Sequence, residues 1–244
     1  MSDQGQSGKQ AAQNLYSLNV SGYTARCFLP KDGKTDRIVY MHAAMPDEAD
    51  KVWQLLSCQC VLVCIEGIEW NRDMSPWYHP GVFAKGGDFA GGADLYLQKL
   101  CHEIIPEVEE KIHPDIMVEF KNEVHRYLAG YSLSGLFSLY ALYHTDLFEG
   151  IACMSGSLWY EGWIPYMKKH EMCRKPEKIY FSLGDQEAKG NSQMRTVAER
   201  TEETKRYMED LGISTILEWN PGNHFRDVPE RIARGIDWLM TDAE

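Results

Sequence analysis

The stretch Tyr127-Leu128-Ala129-Gly130-Tyr131-Ser132-Leu133-Ser134-Gly135-Leu136-Phe137, continuing to Thr145, carries no Asp, Glu, Lys or Arg. Its length raises the question of a membrane span, but three serines and two glycines interrupt its middle. It reads instead as a buried strand over Val124 to Ala129, a tight turn, and an apolar helix over Ser134 to His144. A serine on such a turn projects its hydroxyl above the sheet only if the residues two before and two after it are small, because their backbones nearly touch. Gly130 and Ser134 meet that demand around Ser132. Ser134 stands where the usual pattern has glycine, and Gly135 follows at once. Centring the turn on Ser134 instead would place bulky Leu136 at the crowded position.

Outward from this turn, short β-branched and aromatic runs alternate with helical patterns, the signature of a mostly parallel sheet with helices on both faces. Asn14 to Val20 and Tyr23 to Leu29, split by Ser21-Gly22, form an opening antiparallel hairpin. Arg37 to His42 and Val61 to Ile65 read as strands, the second apolar enough to be covered on both sides, with a helix over Pro46 to Leu56 between them. Further helices are expected over Ala93 to Lys111, Ser192 to Leu211 and Phe225 to Met240. Strands are expected over Ile151 to Met154, Lys178 to Leu183 and Ser214 to Trp219. Residues 1–13 form a polar tail, and no repeat or linker divides residues 14–244, which read as one α/β domain. Two irregular parts stand out: a glycine- and aromatic-rich loop over 67–92, too long to be idle, and a short insertion within 155–177.

The composition narrows the function classes. Among 244 residues, 36 are acidic and 25 basic, for a formal charge of −11. Broad nucleic-acid or anionic-membrane binding rests on clustered Lys and Arg, so neither partner is expected. Seven cysteines, odd in number and irregularly spaced, read as reduced thiols and point to the cytoplasm. Cys58-Gln59-Cys60 and Cys64 alternate with apolar residues as buried strand thiols do, so no metal is expected. G-x-G-x-x-G, the Walker phosphate loop, H-E-x-x-H and S-x-x-K are all absent, and no cofactor is expected.

A hydroxyl at neutral pH is a weak nucleophile and needs a base, which in turn needs an acid to orient it. Both follow in the chain. Gly184-Asp185-Gln186-Glu187 places two carboxylates after one strand, and Asn220-Pro221-Gly222-Asn223-His224 places a histidine after the next. Ser132, then Asp185 or Glu187, then His224, is the order of the α/β-hydrolase fold. The constellation points to acyl transfer on a small-molecule ester. Transfer to an alcohol acceptor, or ligand binding by the same fold without turnover, are the competing readings.

From about Arg37 to Leu239 the sequence resembles the putative-esterase family of α/β-hydrolases, which includes esterase-D-like enzymes, trilactone-siderophore esterases and mycolyltransferases. The resemblance rests on Asn71-Arg72-Asp73-Met74-Ser75-Pro76, on the elbow continuing as Gly135-Leu136-Phe137, on Ser155-Gly156-Ser157-Leu158-Trp159, and on Gly222-Asn223-His224. It implies Ser132 as nucleophile, His224 as base and, from the spacing after Gly184, Glu187 as acid, with Asp185 the alternative. It further implies an oxyanion hole made by the N–H of Leu133 and an N–H from the loop after Arg37 to His42. That loop reads His42-Ala43-Ala44-Met45 where the family has Asp-Gly, so Ala43 or Ala44 is the expected donor. Arg72, Trp77 and Trp159 are the candidate substrate-binding residues, with Trp70, Tyr78, Phe83, Tyr160 and Trp163 as further aromatic lining. Oligomeric state is left open.

Overall fold

A computed structural model describes residues 14–31, 35–82, 86–116, 124–189 and 193–241. The polar tail 1–13, Phe83 and Ser192 lie outside the described residues. Strands β1 (Asn14–Val20) and β2 (Tyr23–Leu29) form the opening hairpin, turned by Ser21 and Gly22, both at positive φ. Then come β3 (Arg37–His42), helix α1 (Glu48–Leu55), β4 (Val61–Glu66) and the short helix α2 (Trp70–Asp73). Two-residue strands β5 (Tyr78–His79) and β6 (Phe89–Ala90) make a small ribbon inside the aromatic loop. Helices α3 (Ala93–Lys99) and α4 (Ile105–Ile116) precede β7 (His125–Tyr131), α5 (Leu133–Ala141) and β8 (Gly150–Met154). Helix α6 (Trp163–Lys169) fills the insertion, followed by β9 (Lys178–Gly184), α7 (Val197–Asp210), β10 (Ser214–Asn220) and α8 (Val228–Leu239).

Eight of these strands form one sheet in the order β1-β2-β4-β3-β7-β8-β9-β10. The β1–β2 and β2–β4 pairs are antiparallel and all other pairs parallel. The chain lays β4 on one side of β3 and later β7 on the other, so the sheet order reverses there. Ligand sites in open α/β sheets form outside the carboxyl ends of strands at such a reversal.

The central strands are buried on both faces, which explains their unbroken apolar runs. Ile38 and Tyr40 of β3, Val61, Val63 and Ile65 of β4, and Leu128 of β7 face one core together with α3, α4 and α5. Val39 and Met41, Leu62 and Cys64, and Tyr127 and Ala129 face the other, beneath Ala49 and Val52 of α1 and Ile232, Ile236 and Leu239 of α8.

Several boundaries differ from the sequence expectation for identifiable reasons. The helix expected over Ala93 to Lys111 is broken by a π turn at Leu100–Ile104. Pro106 has no N–H, so the carbonyl one turn before it lacks a helical donor and the backbone widens there. Helices α1 and α8 start later than expected because Asp47 and Asp227 hold left-handed conformations at φ 61° and 53°. A 3₁₀ turn at Gln193–Thr196 leads into α7. Among the described residues no helix is long and apolar enough to cross a membrane; residues 127–141 are instead strand, turn and helix.

The turn between β7 and α5 leaves no room for a side chain at Gly130. A Cβ on Gly130 would lie 2.1 Å from the carbonyl oxygen of Ser134. Gly130→Ala should therefore lower the unfolding free energy by about 3 kcal/mol or more. A urea midpoint unchanged from the native chain would show that the turn can open at no cost.

Candidate active site

Ser132 sits between β7 and α5 at φ 61° and ψ −122°, outside the regions that L-residues favour. Its neighbours hold it there. Its N–H donates to the carbonyl of Met154 at 3.0 Å, and its carbonyl accepts from the N–H of Ser157 at 2.9 Å, so the end of β8 and the loop after it clamp both sides. Ser134 takes up the role its position demands: its hydroxyl accepts from the N–H of Tyr131 and donates to that residue's carbonyl, each at 2.9 Å. A serine in place of glycine thus satisfies backbone groups at the strand end while remaining small enough for the turn.

The loops after β9 and β10 bring the remaining groups to Ser132. His224 Nε2 lies 3.0 Å from Ser132 Oγ, and His224 Nδ1 lies 2.8 Å from Glu187 Oε2. Asp185, the alternative acid, points elsewhere: it accepts the N–H of Gly222 at 2.8 Å and holds the histidine loop. The Glu187 side chain is only 4% exposed. Burial pushes its pKa up, but the hydrogen bond and charge of His224, the Ser155 hydroxyl and the Gly184 N–H outweigh it and hold the carboxyl at about 2. Burial raises the Tyr131 phenol to about 12, so it stays a neutral donor, and it gives its proton to the carbonyl of His224 at 2.7 Å.

Leu133 opens α5, so its N–H has no acceptor within the helix and is available beside Ser132. Ala43 and Ala44 are not brought to this site. The N–H of Ala44 is taken by Glu48 Oε2 at 2.8 Å, the N–H of Ala43 faces the Cys64 thiol, and both residues line a separate groove with Arg26 and Glu66. His42, at the end of β3, is 2% exposed and turned inward. Burial lowers its pKa to about 3, and its ring packs against Tyr96 and Phe137.

The hydroxyl of Ser132 opens into a cavity of about 140 Å³. Its walls are aromatic and apolar: Trp70, Phe89 and Trp159, with Met194, Val197 and Phe225. Asn71, Ser155 and Ser157 add polar atoms, and among the lining residues Glu187 and His224 are the only acidic or basic side chains. Of the expected substrate residues, Trp159 lines the cavity, whereas Trp77 and Arg72 do not. Trp77 braces the insertion, donating to the carbonyl of Glu161 at 2.9 Å and packing on Tyr140, Tyr160 and Tyr166. Arg72 is tethered to Glu69 and Asp73 beside Gly92. Tyr160 and Trp163 are buried supports, and Tyr78 is exposed and bonded to Asp88. Phe89, Phe225, Met194 and Val197 escaped the sequence reading because nothing in their spacing marks them. Among the described residues no His, Cys, Asp and Glu group is arranged to hold a metal ion.

The model of the family described as Putative esterase matches residues 49–226. The chain belongs to that family. It is therefore a carboxylic ester hydrolase. YbbA of Bacillus subtilis (strain 168), a protein described as uncharacterized, is 22% identical over 188 residues, which cover 74% of this esterase and 73% of the relative. An IroE-like serine hydrolase from Shewanella oneidensis has a similar structure, with a TM-score of 0.73 at 16% identity over 94% of this chain and 80% of its own. The siderophore hydrolase EstB from Aspergillus nidulans superposes with a TM-score of 0.63 at 18% identity, covering 98% of both chains. These likenesses establish that the esterase has an α/β-hydrolase-type fold.

The depressed pKa of Glu187 has a stability consequence. A carboxyl at about 2 when folded, against an ordinary 4.5, contributes stability that is fully present above 4.5 and is lost as the pH falls toward 2. The amount is of the order of 3 kcal/mol. The unfolding free energy of Glu187→Gln should fall less steeply than that of the native chain between those limits; parallel slopes would show that Glu187 gains nothing from its partners.

Proposed function

We propose that Ser132, His224 and Glu187 act as a nucleophile–base–acid triad that hydrolyses a carboxylic ester through an acyl-enzyme. The observation that carries this reading is the single imidazole bridging Ser132 Oγ and Glu187 Oε2 at 3.0 and 2.8 Å. Both contacts lie within the reach that proton transfer requires.

His224 Nε2 takes the Ser132 proton as Oγ attacks the carbonyl carbon of the ester. The carbonyl oxygen becomes the oxyanion of a tetrahedral intermediate, held by the N–H of Leu133. Collapse breaks the bond to the alkoxy oxygen, which leaves as an alcohol after taking the proton from His224. Water then attacks the acyl-enzyme with His224 again as base, and the acid departs as Ser132 regains its proton. Glu187 keeps Nδ1 protonated and favours the imidazolium that forms twice in the cycle.

The walls of the cavity favour an ester whose acid carries an aryl ring. Trp70, Phe89, Trp159 and Phe225 offer edges and faces to such a ring, and no lysine or arginine is among the lining residues to pair with an anionic substituent. Siderophores, named in the description of the Aspergillus neighbour, are a candidate source of such an ester.

A fluorophosphonate should label Ser132 in the native chain and leave Ser132→Ala unlabelled. On a short aryl ester, Ser132→Ala and His224→Ala should each lose about 10⁴-fold or more in kcat, and Glu187→Gln about 10²- to 10⁴-fold. Asp185→Asn should lose less than about tenfold, since its carboxylate holds a loop and not the imidazole. Retained turnover in His224→Ala sinks the triad, and a larger loss in Asp185→Asn than in Glu187→Gln reassigns the acid.

A further inference from the structure

Beneath the proposed triad lies a buried cation with no part in the steps above. Arg231, on α8, is 1% exposed and does not line the cavity. Its Nη2 lies 3.0 Å from Glu187 Oε1 and also bonds to Ser155 Oγ, while its Nη1 donates to Tyr131 Oη at 2.8 Å. Glu187 Oε1 accepts two further donors, the Ser155 hydroxyl at 2.6 Å and the Gly184 N–H at 2.7 Å. One carboxylate oxygen is thus held by three donors, and Oε2 is turned to His224.

The second arm acts on the base. Because Tyr131 Oη accepts from Arg231, its own proton is directed to the carbonyl of His224 at 2.7 Å. One planar guanidinium therefore joins α8, the end of β7, the loop after β8 and the acid after β9, and through Tyr131 the histidine after β10. We propose that Arg231 is a positioning residue of the ester-hydrolysing site, fixing the Glu187 carboxylate through Oε1 and the His224 backbone through Tyr131. The proposal rests on the triad reading above.

Position and charge give this role two separate signatures. As Arg231 touches no cavity surface, its loss should lower kcat and leave KM nearly unchanged. Its charge also offsets that of Glu187, so the imidazole meets a paired carboxylate. The other groups facing this cluster are Ser132 and the Tyr131 ring against His224, Glu48 of α1 acting on Tyr131, and Asp185 holding Gly222; Arg226 and Asp227 pair with each other at the surface. Among the described residues Arg231 is the one lysine or arginine that pairs with Glu187. Removing it takes one positive charge from the carboxylate, which favours protonated His224 and moves the acid limb of the rate profile upward.

The test is a nuclear magnetic resonance titration of His224 alongside kcat and KM against pH for an aryl ester, on the native chain, Arg231→Met, Arg231→Lys and Tyr131→Phe. Arg231→Met should raise the His224 pKa and the acid limb by about one pH unit. It should also lower kcat about 100-fold with KM within about threefold. Arg231→Lys should return the pKa close to the native value but leave kcat about tenfold low, because one ammonium cannot fork to both Glu187 and Tyr131. An unmoved His224 pKa in Arg231→Met, or a loss expressed in KM, overturns the proposal. If Arg231→Met does not fold, Arg231→Lys and Tyr131→Phe decide: about tenfold lower kcat at constant KM in both supports it, and native rates in either overturn it. If the native chain neither takes the fluorophosphonate nor turns over ester, the triad reading fails, while the His224 titration still decides whether Arg231 governs that imidazole.

Discussion

The structure turns on a serine held where an L-residue is strained. Ser132 at φ 61° costs of the order of 1–3 kcal/mol, and the turn persists because its surroundings leave it no relaxed alternative. The absent Cβ of Gly130 lets the turn close, the Ser134 hydroxyl satisfies Tyr131, and the end of β8 and the loop after it grip the N–H and the carbonyl of Ser132. The strain sits on a strand buried on both faces, so a relaxing turn would have to displace packed neighbours in two cores. The hydroxyl is exposed to the cavity as a consequence of this geometry.

The second requirement is to keep a carboxylate charged where almost no water reaches it. Desolvation is the largest single influence on Glu187 and acts against ionisation, yet the group is held at about 2 because His224 bonds to Oε2 while the Ser155 hydroxyl and the Gly184 N–H bond to Oε1. Those donors come from the loop after β8, the end of β9 and the histidine loop, and Arg231 adds a bond from α8, so the carboxylate also ties the sheet's carboxyl edge to the last helix. Breaking any one contact would leave a buried charge short of a partner, which costs more than the contact itself contributes.

What was legible in the sequence follows from where a residue's constraint resides. Ser132, Glu187 and His224 each stand just past a strand, and strands buried on both faces announce themselves by apolar runs, so their convergence on one edge could be read from order and spacing. Ser134 was legible as small but not as a hydrogen-bonding partner of Tyr131. The loop residues were not legible: Trp77 and Arg72 share a segment with Trp70, and only the path of that segment over the sheet decides that Trp70 meets the cavity while the other two brace its surroundings. The loop after β3 was not legible because Glu48, one helical turn on, captures the N–H of Ala44. Arg231 left one trace: it falls with Ile232, Gly235, Ile236 and Leu239 on the buried stripe of α8, where an arginine is out of place unless a buried anion awaits it.

The same pairing bears on which esters suit the cavity. The chain's formal charge of −11 acts at long range and is screened beyond about 10 Å at ordinary salt, so it says little about the interior of the site. Inside, the negative charge of Glu187 is met by His224 on one oxygen and Arg231 on the other, both within hydrogen-bonding distance. Locally the wall behind the imidazole is therefore close to neutral, and the rest of the lining is aromatic or uncharged. On the proposed reading, discrimination among esters comes from shape and ring contacts and not from charge, and the rings belong to α2, to loops and to the β5–β6 ribbon, outside the main sheet. On that reading labour is divided: the packed strand ends hold strain and buried charge, and the aromatic rim carries selectivity.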